Sequence, residues 1–221
     1  RPFFPFYGSK WNTARYYPEP RGLVVEPFAG SAGYALFYDA PKAVLVDADP
    51  VVAGVWAYLM RASAAEILAL PELPEVGDTV DNYPALPQEA RWLIGFWLNR
   101  GSAQPKKSRT AYSDWGQRAK ERIAAQLGGL ENWSITCGPY SRSPDADADT
   151  TWFVDPPYGE KGKFYRVPFV AFATLGELCR KRRGQVIACE NVGATWLPFE
   201  PLGSFKSSKG RSNEALFWRA A

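Results

Sequence analysis

One stretch decides the fold of this chain: Thr151-Trp152-Phe153-Val154, an apolar run, leads directly into Asp155-Pro156-Pro157-Tyr158. A short run of β-branched and aromatic residues with a turn signal behind it predicts a buried β-strand. Neither proline has a backbone N–H, so the chain has to leave the sheet at this point. The strand end therefore brings together the Asp155 carboxylate, the Pro156 carbonyl and the Tyr158 ring.

Two hydrogen-bond acceptors beside an aromatic ring suit a flat ligand ring that carries an amino group. An exocyclic amino nitrogen on a purine or pyrimidine is a poor nucleophile, because its lone pair is delocalised into the ring. Acceptors on its N–H bonds would draw the nitrogen toward a tetrahedral, reactive state, and Tyr158 would stack on the ring face. The alternative is a proline-rich loop that only ends a strand.

A second signal lies upstream, where Leu23-Val24-Val25 predicts another buried strand and Glu26-Pro27-Phe28-Ala29-Gly30-Ser31-Ala32-Gly33 follows it. Small residues in that turn let a ligand approach the backbone, and a helix over 34–38 would offer free N–H groups at its N-terminus. The spacing is neither that of a dinucleotide fingerprint nor that of a P-loop, so a nicotinamide cofactor or a triphosphate is not indicated. Plain turn chemistry is the alternative.

A third predicted strand, Ala43-Val44-Leu45-Val46, ends at Asp47-Ala48-Asp49. In doubly wound folds an acidic residue at the end of the second strand holds ribose hydroxyls, which makes Asp47 the candidate for that contact. Asp49 precedes Pro50, and this pair predicts the N-cap and first turn of a helix.

Near the start of the chain stands Phe6-Tyr7-Gly8-Ser9-Lys10. Taken in order, these segments resemble the DNA adenine methyltransferase family (Dam-like, D12 class), whose members are S-adenosylmethionine-dependent N6-adenine methyltransferases. The shared features are an aromatic-Gly-x-Lys element, a Pro-Phe-x-Gly-x-x-Gly loop, a strand-end Asp and Asp-Pro-Pro-Tyr. The resemblance extends from about residue 3 to residue 218.

The resemblance implies an α/β fold, a Rossmann-like S-adenosylmethionine-dependent methyltransferase sheet with helices on both faces and a small, mainly helical insert. It implies a catalytic core formed by residues 1–60 and 130–221, with residues 61–129 as the inserted target-recognition region. The implied reaction is methyl transfer from S-adenosylmethionine to the N6 amino group of adenine in double-stranded DNA, with the base flipped into the site. The implied catalytic residues are Asp155, Pro156, Pro157 and Tyr158. The implied cofactor-binding residues are Tyr7, Gly8, Lys10, Glu26, Pro27, Phe28, Gly30, Gly33 and Asp47.

The chain departs from the family pattern at one strand end. After the predicted strand Trp133–Cys137, where the family commonly has an acidic residue, this chain has Gly138-Pro139-Tyr140. Tyr140 is either a partial substitute for that residue or an exposed loop tyrosine.

The remaining segments fit a sheet with crossover helices. Residues 169–182 carry helical apolar spacing, residues 185–189 and 214–218 read as structural strands, and residues 88–98 as a buried helix. In that last helix, Trp92, Phe96 and Trp97 are the predicted core residues.

Basic residues concentrate in the insert between Asn99 and Arg122, with Tyr112 and Trp115 interleaved. Two further basic groups flank the catalytic end, one just after Asp-Pro-Pro-Tyr and one in a predicted hairpin turn over 206–211. Such side chains neutralise phosphates, although solvated helix faces and charged loops are the alternative. Phe164-Tyr165 would act as a wedge or a stacking pair beside an extruded nucleotide. The candidate DNA-binding residues are Arg100, Lys106, Lys107, Arg109, Lys161, Lys163, Lys209 and Arg211.

Composition excludes several kinds of site. The 221-residue chain has no histidine, which excludes Ser-His-Asp and Cys-His catalysis and histidine zinc sites. Its three widely spaced cysteines indicate reduced thiols, so we expect a cytoplasmic protein without a metal centre. No apolar run is long enough to span a membrane. An RNA adenine, a cytosine N4 amino group and a glutamine amide remain open as acceptors, as does a silent DNA-binding protein.

Overall fold

The computed structural model describes residues 1–99, 101–207 and 210–220, leaving aside the side chains of residues 160, 161, 206 and 207. Its strands are β1 (Val24–Glu26), β2 (Ala43–Asp47), β3 (Trp133–Cys137), β4 (Thr151–Val154), β5 (Gln185–Asn191), β6 (Glu200–Ser207) and β7 (Gly210–Arg219). Its α-helices are α1 (Gly33–Phe37), α2 (Pro50–Arg61), α3 (Ala64–Leu68), α4 (Gln88–Trp97), α5 (Gln117–Gln126) and α6 (Phe172–Lys181).

The described strands form one sheet in the order β3-β2-β1-β4-β5-β7-β6. The first five in that order run parallel, while β7 runs antiparallel to both β5 and β6. All four residues of β4 are buried, as expected for a central strand of a parallel sheet that is covered on both faces. This order, with an antiparallel seventh strand, is that of the Rossmann-like S-adenosylmethionine-dependent methyltransferases, and the predicted fold class is confirmed.

Helices cover both faces of the sheet. On one face Phe153 of β4 stacks on Tyr34 of α1, with ring centroids 4.1 Å apart and an interplanar angle of 6°. On the other face Trp152 and Val154 belong to a separate apolar cluster with Leu175 of α6. Because alternate side chains of a strand point to opposite faces, one short apolar run serves both clusters.

Most predicted elements are present, with shifted ends. The helix predicted over 169–182 is shorter, since α6 runs from Phe172 to Lys181. The terminal strand is longer than predicted, since β7 begins at Gly210 and pairs with β6. The predicted hairpin is therefore confirmed by the antiparallel pairing of these two strands.

The insert packs against the rest of the chain. The Phe96 ring of α4 stacks on Phe4 at 4.9 Å, and the Trp97 indole N–H donates to the Phe3 carbonyl over 3.1 Å. Phe96 and Trp97 are buried as predicted, while Trp92 is half-buried. One apolar cluster thus includes residues of both parts, and the division into residues 1–60, 61–129 and 130–221 stays a prediction.

No helix among the described residues is long and apolar enough to cross a membrane. Cys137 is exposed, Cys179 and Cys189 are buried, and each carries a free thiol.

Candidate active site

Two cavities lie side by side at the carboxyl edge of the parallel strands. The first has a volume of about 300 Å³ and is lined by the loops that follow β1, β2, β3 and β4. The second has a volume of about 270 Å³ and is lined by the N-terminal segment, the Asp-Pro-Pro-Tyr loop and residues of β6 and β7. The residues that line both cavities are Phe6, Tyr7, Gly8, Ser9, Lys10, Asp155 and Tyr165.

The glycine turn after β1 forms the floor of the first cavity, and its glycines are needed for close approach. Gly30 has a φ of 47°, and a Cβ there would lie 3.0 Å from the Phe6 ring. A Cβ on Gly33 would lie 2.6 Å from the backbone nitrogen of Trp11 and 2.9 Å from that of Lys10. Only a residue without a side chain lets the N-terminal segment pack on this turn.

Glu26 lies beneath the turn and is only 2% exposed. Its carboxyl accepts a 2.8 Å hydrogen bond from the Ala35 N–H, and burial raises the pKa of Glu26 to about 8. The expectation that the first N–H groups of α1 are free is therefore wrong for Ala35. Its N–H is taken by the acidic residue that precedes the turn.

Asp47 lines the first cavity at the end of β2. One carboxyl oxygen accepts from the Gly30 N–H over 2.9 Å, and the other accepts from the Asp49 N–H over 2.8 Å. Burial raises the pKa of Asp47 to about 6. Since each carboxylate oxygen has two lone pairs, both retain capacity for a ligand hydroxyl.

Asp49 caps α2 as predicted. Its carboxyl accepts from the Val51 N–H over 2.9 Å, with Pro50 in the first turn. Arg166, from the loop before α6, forms an ion pair with Asp49 at 3.2 Å. This pair joins the loop after β2 to the loop after β4 beside the first cavity.

The unusual end of β3 contributes a ring instead of an acid. Tyr140 packs against Phe28, with ring centroids 5.4 Å apart, and both line the first cavity. The Tyr140 hydroxyl donates to the Ala171 carbonyl at 3.4 Å. Tyr140 is therefore a half-buried wall residue and not an exposed loop tyrosine.

Asp155 lies in the wall between the two cavities and already has two donors. Lys10 Nζ lies 3.0 Å from Asp155 Oδ1, and the Tyr158 hydroxyl donates to the same oxygen over 2.8 Å. Burial raises the pKa of Asp155, against the opposing effect of the Lys10 ammonium. Pro156 lines the second cavity and Pro157 the first, so the tetrapeptide contributes to both.

Lys10 is a buried cation, with 9% of its surface exposed. Burial acts to lower the pKa of Lys10, but the carboxylates of Asp155 and Glu214 outweigh it and raise the pKa well above its usual value. The ammonium also lies 4.7 Å from the centroid of the Tyr158 ring. One face of that ring is thus covered, and a stacked ligand would use the other face.

Glu214 is a site residue that the sequence reading missed, since it was taken as part of a structural strand. It is 6% exposed and lines the second cavity, and its carboxylate lies 3.0 Å from the Tyr158 hydroxyl, whose single proton has Asp155 and Glu214 as alternative acceptors. Lys10 Nζ lies 3.5 Å from its carboxylate. Ser212 lines the same cavity, two residues away on the same face of β7. A charged residue inside an apolar strand was the available signal.

Aromatic side chains enclose the second cavity. The Tyr165 hydroxyl donates to the Tyr7 carbonyl over 3.3 Å. A Cβ on Gly8 would lie 2.5 Å from that Tyr165 hydroxyl oxygen. Phe164 packs on Tyr7 with a centroid distance of 5.5 Å. Phe205 of β6 lines the cavity from the opposite side. Of the predicted pair Phe164-Tyr165, Tyr165 lines both cavities.

Three of the described candidate DNA-binding residues bond to groups of the protein itself. Lys107 pairs with Asp81 at 3.0 Å, and the Arg109 guanidinium donates to the Trp115 carbonyl over 2.9 Å. Arg211 donates to the Ser204 carbonyl over 2.9 Å. Lys106 and Lys163 are exposed. Arg100 and Lys209 lie outside the described residues, as does the side chain of Lys161.

Two members of the basic stretch in the insert are structural. Trp115 is buried, and its indole N–H donates to the Pro71 carbonyl over 2.9 Å. Lys120 is also buried, where its ammonium donates to the Leu70 carbonyl at 3.0 Å and pairs with Glu72 at 3.3 Å. Neither presents its polar group to a nucleic acid. Gly101 does line the second cavity, which brings the insert to the site.

The geometry supports transfer between two ligands. A ligand in the first cavity and a ligand in the second would meet at the wall that contains Asp155. The carboxylate there can accept hydrogen bonds from an amino group, and the buried surroundings strengthen such bonds.

Two solved structures have a similar chain course. One is described as "Putative methyltransferase yhhF from Escherichia coli", with a TM-score of 0.42 and 12% identity over 91% of this chain and 77% of that chain. The other, "putative methylase HI0767 from Haemophilus influenzae", has a TM-score of 0.41 and 12% identity over 96% of this chain and 86% of that chain. Likenesses at this level do not bear on activity. The sequence matches no protein-family model. It matches no curated protein either.

Proposed function

We propose that the protein transfers a methyl group from S-adenosylmethionine to the N6 amino group of adenine in DNA. One observation carries this proposal: Asp155 lies in the wall shared by two cavities. A donor held in the first cavity and an amino group held in the second would meet at a single carboxylate.

The lining of the first cavity supports S-adenosylmethionine as its ligand. Gly30 and Gly33 of the turn after β1 line this cavity, as do the packed rings of Phe28 and Tyr140. We assign Asp47 to the ribose hydroxyls, since it lines the cavity with lone pairs to spare. When bound, the sulfonium supplies an already activated methyl group. The protein then needs to provide alignment and no covalent intermediate.

The second cavity would hold the acceptor base. Asp155 and the Pro156 carbonyl would accept from the two N–H bonds of the amino group, which restores nucleophilic character to its nitrogen. The amino nitrogen would take the methyl group, with the carbon–sulfur bonding pair leaving on sulfur. The nitrogen would then give up one proton to the Asp155 carboxylate that accepts from it. Tyr165 and Phe205 would cover the base.

With duplex DNA as the acceptor, the target base would have to be flipped out of the stack. The amino group of a stacked adenine is out of reach of a buried carboxylate, so the nucleotide would be extruded into the second cavity. Unstacking is offset by contacts with the aromatic wall. We assign phosphate contacts to two exposed basic residues, Lys106 of the insert and Lys163 of the loop after β4.

The test is transfer of labelled methyl from S-adenosylmethionine to unmethylated duplex DNA, followed by nucleoside analysis. We expect the label in N6-methyladenine. Single-stranded RNA, a duplex of G·C pairs that lacks adenine and a glutamine peptide are assayed beside it, because the same cradle would accept their amino groups. Label in one of these alone would reassign the acceptor. Cofactor binding without transfer to any of them would indicate a silent DNA-binding protein.

A further inference from the structure

We propose that Glu214 receives the Lys10 ammonium when an acceptor amino group takes its place at Asp155. The inference rests on the proposed function and assigns a positioning residue to the same site. The Lys10 ammonium lies 3.0 Å from Asp155 Oδ1, and the Tyr158 hydroxyl lies 2.8 Å from the same oxygen. A carboxylate oxygen has two lone pairs, so an acceptor amino group that bonds to Oδ1 would compete with the ammonium for that oxygen.

Glu214 provides the second carboxylate that this exchange requires. Its nearer oxygen already lies 3.5 Å from Lys10 Nζ, so the lysine pairs with both carboxylates and needs only a small movement to pair with Glu214 alone. The Tyr158 hydroxyl spans the same two residues, at 2.8 Å from Asp155 and 3.0 Å from Glu214. Both donors that hold Asp155 thus have Glu214 as an alternative partner.

Burial makes the second partner necessary. The side chains of Lys10 and Glu214 are 10% and 8% exposed, so an ammonium displaced from Asp155 has little water to receive it. An unpaired charge in such a place is strongly destabilising, and the cost would oppose acceptor binding. A carboxylate within reach removes that cost. The charged and titratable groups facing this centre are Lys10, Tyr17, Asp155, Tyr158, Cys189 and Glu214.

Glu214 also leaves a surplus negative charge. Two carboxylates and one ammonium meet at the wall, on the side where the acceptor nitrogen becomes positive as its new bond to carbon forms. A fixed negative charge at that point stabilises the developing positive charge. Glu214 is therefore expected to affect turnover and not cofactor affinity.

The test compares Glu214→Gln with the parent on unmethylated duplex DNA. The amide keeps the acceptor for Tyr158 but cannot neutralise the ammonium, so we expect kcat to fall about tenfold or more, with the Kd for S-adenosylmethionine unchanged. Glu200→Gln, the same change on exposed β6, is the matched control and should behave as the parent. In a Lys10→Met background, Glu214→Gln should lower kcat by less than about twofold, because no ammonium needs a partner.

Equal losses in both backgrounds, or a Glu214→Gln protein with parental kcat, would overturn the inference. Thermal unfolding of each variant separates a folding defect from a positioning effect.

A second measurement stays informative even if the parent methylates none of the acceptors. The ¹⁵N resonance of Lys10 Nζ, assigned by its loss in Lys10→Met, is followed during titration with 2′-deoxyadenosine, 2′-deoxycytidine and an acetylated glutamine amide. We expect at least one probe to shift that resonance in the parent, and none to do so in Glu214→Gln. An unmoved Lys10 resonance with all three probes would overturn the inference, whereas failed transfer alone would overturn only the proposed function.

Discussion

The wall between the cavities and the basic residues of the insert differ in how their polar groups are held. At the wall, Asp155, Lys10, Tyr158 and Glu214 bond to one another within 3.5 Å, and each is nearly buried or half-buried. In the insert, the described charged groups are held in different ways, since Lys107 is exposed and pairs with Asp81, whereas Lys120 is buried and pairs with Glu72. The first region is a fixed constellation, whereas the second is a set of separate side chains.

The difference shows that charge density along a sequence is a poor guide to a surface. Of the basic residues between Asn99 and Arg122, Lys120 is buried and Arg109 bonds to a backbone carbonyl. Strand ends are more reliable, because parallel strands bring their carboxyl ends to one edge whatever the loops do. The predictions below test the fixed constellation first and the separate side chains last.

Breaking the wall at Asp155 should have the largest effect. We expect Asp155→Ala to lower methyl transfer by at least about 10³-fold, because the amino group loses its charged acceptor. The Kd for S-adenosylmethionine should change little, as Lys10 keeps Glu214 as a partner. Steady-state transfer and equilibrium cofactor binding measure the two quantities. Asp147→Ala, an exposed acid of the linker before β4, is the control, and parental transfer by Asp155→Ala would remove Asp155 from the mechanism.

The buried carboxyl of Glu26 should make the stability of the protein depend on pH. The pKa of Glu26 is about 8 in the folded protein and 4.5 in its ordinary state, so the folded form binds the extra proton between these values. Its contribution to stability is therefore complete below pH 4.5 and falls as the pH rises to 8, at up to about 1.4 kcal/mol per pH unit. Asp47 adds a smaller effect of the same sign between pH 3.8 and about 6.

Denaturant unfolding of the parent and of Glu26→Gln, in steps of about one pH unit from about pH 5 to about pH 8, measures this effect. The difference in unfolding free energy between the two proteins should change steadily in favour of the variant as the pH rises. A constant difference over this range would show that Glu26 does not titrate there.

The glycine turn should be sensitive to a single methyl group. Gly33→Ala places a Cβ 2.6 Å from the Trp11 nitrogen, so the N-terminal segment must move. We expect a loss of about 1–3 kcal/mol of stability together with weaker cofactor binding. Gly128→Ala, with nothing within 4 Å of its Cβ, is the matched control and should stay within about 0.5 kcal/mol of the parent. A Gly33→Ala protein with parental cofactor affinity would show that this turn does not contact the cofactor.

The smallest effect on function is expected in the insert, where substitutions of two lysines should change different properties. Lys106→Ala removes an exposed charge and should weaken DNA binding, with the slope of log K against log salt reduced by about 1. Lys120→Met removes a buried ammonium and should cost about 1–3 kcal/mol of stability with the salt slope unchanged. Salt-dependent DNA binding and thermal unfolding distinguish the two. An unchanged slope in Lys106→Ala would remove this residue from the phosphate contacts.

Local patterns in the sequence predicted the strands and the loops that follow them. Thr151–Val154 is the strand β4 with the predicted bounds, and Asp49 caps α2 because a Pro follows it. These features depend on residues that are neighbours in the chain. The role of Glu214 depends on the register of β7 against β5, in which it lies opposite Asn191. A single sequence contains no information about that pairing.

The shared wall also makes the affinities of the two cavities reciprocal. Tyr7, Lys10 and Tyr165 line both cavities, so a ligand on one side meets side chains that the other side has already ordered. By linkage, a ligand in the first cavity and a ligand in the second change each other's affinity by the same factor. Under the proposed function, the spent cofactor would lack the sulfonium charge and its factor would differ. The methylation state of the cofactor would then set how long the acceptor stays bound.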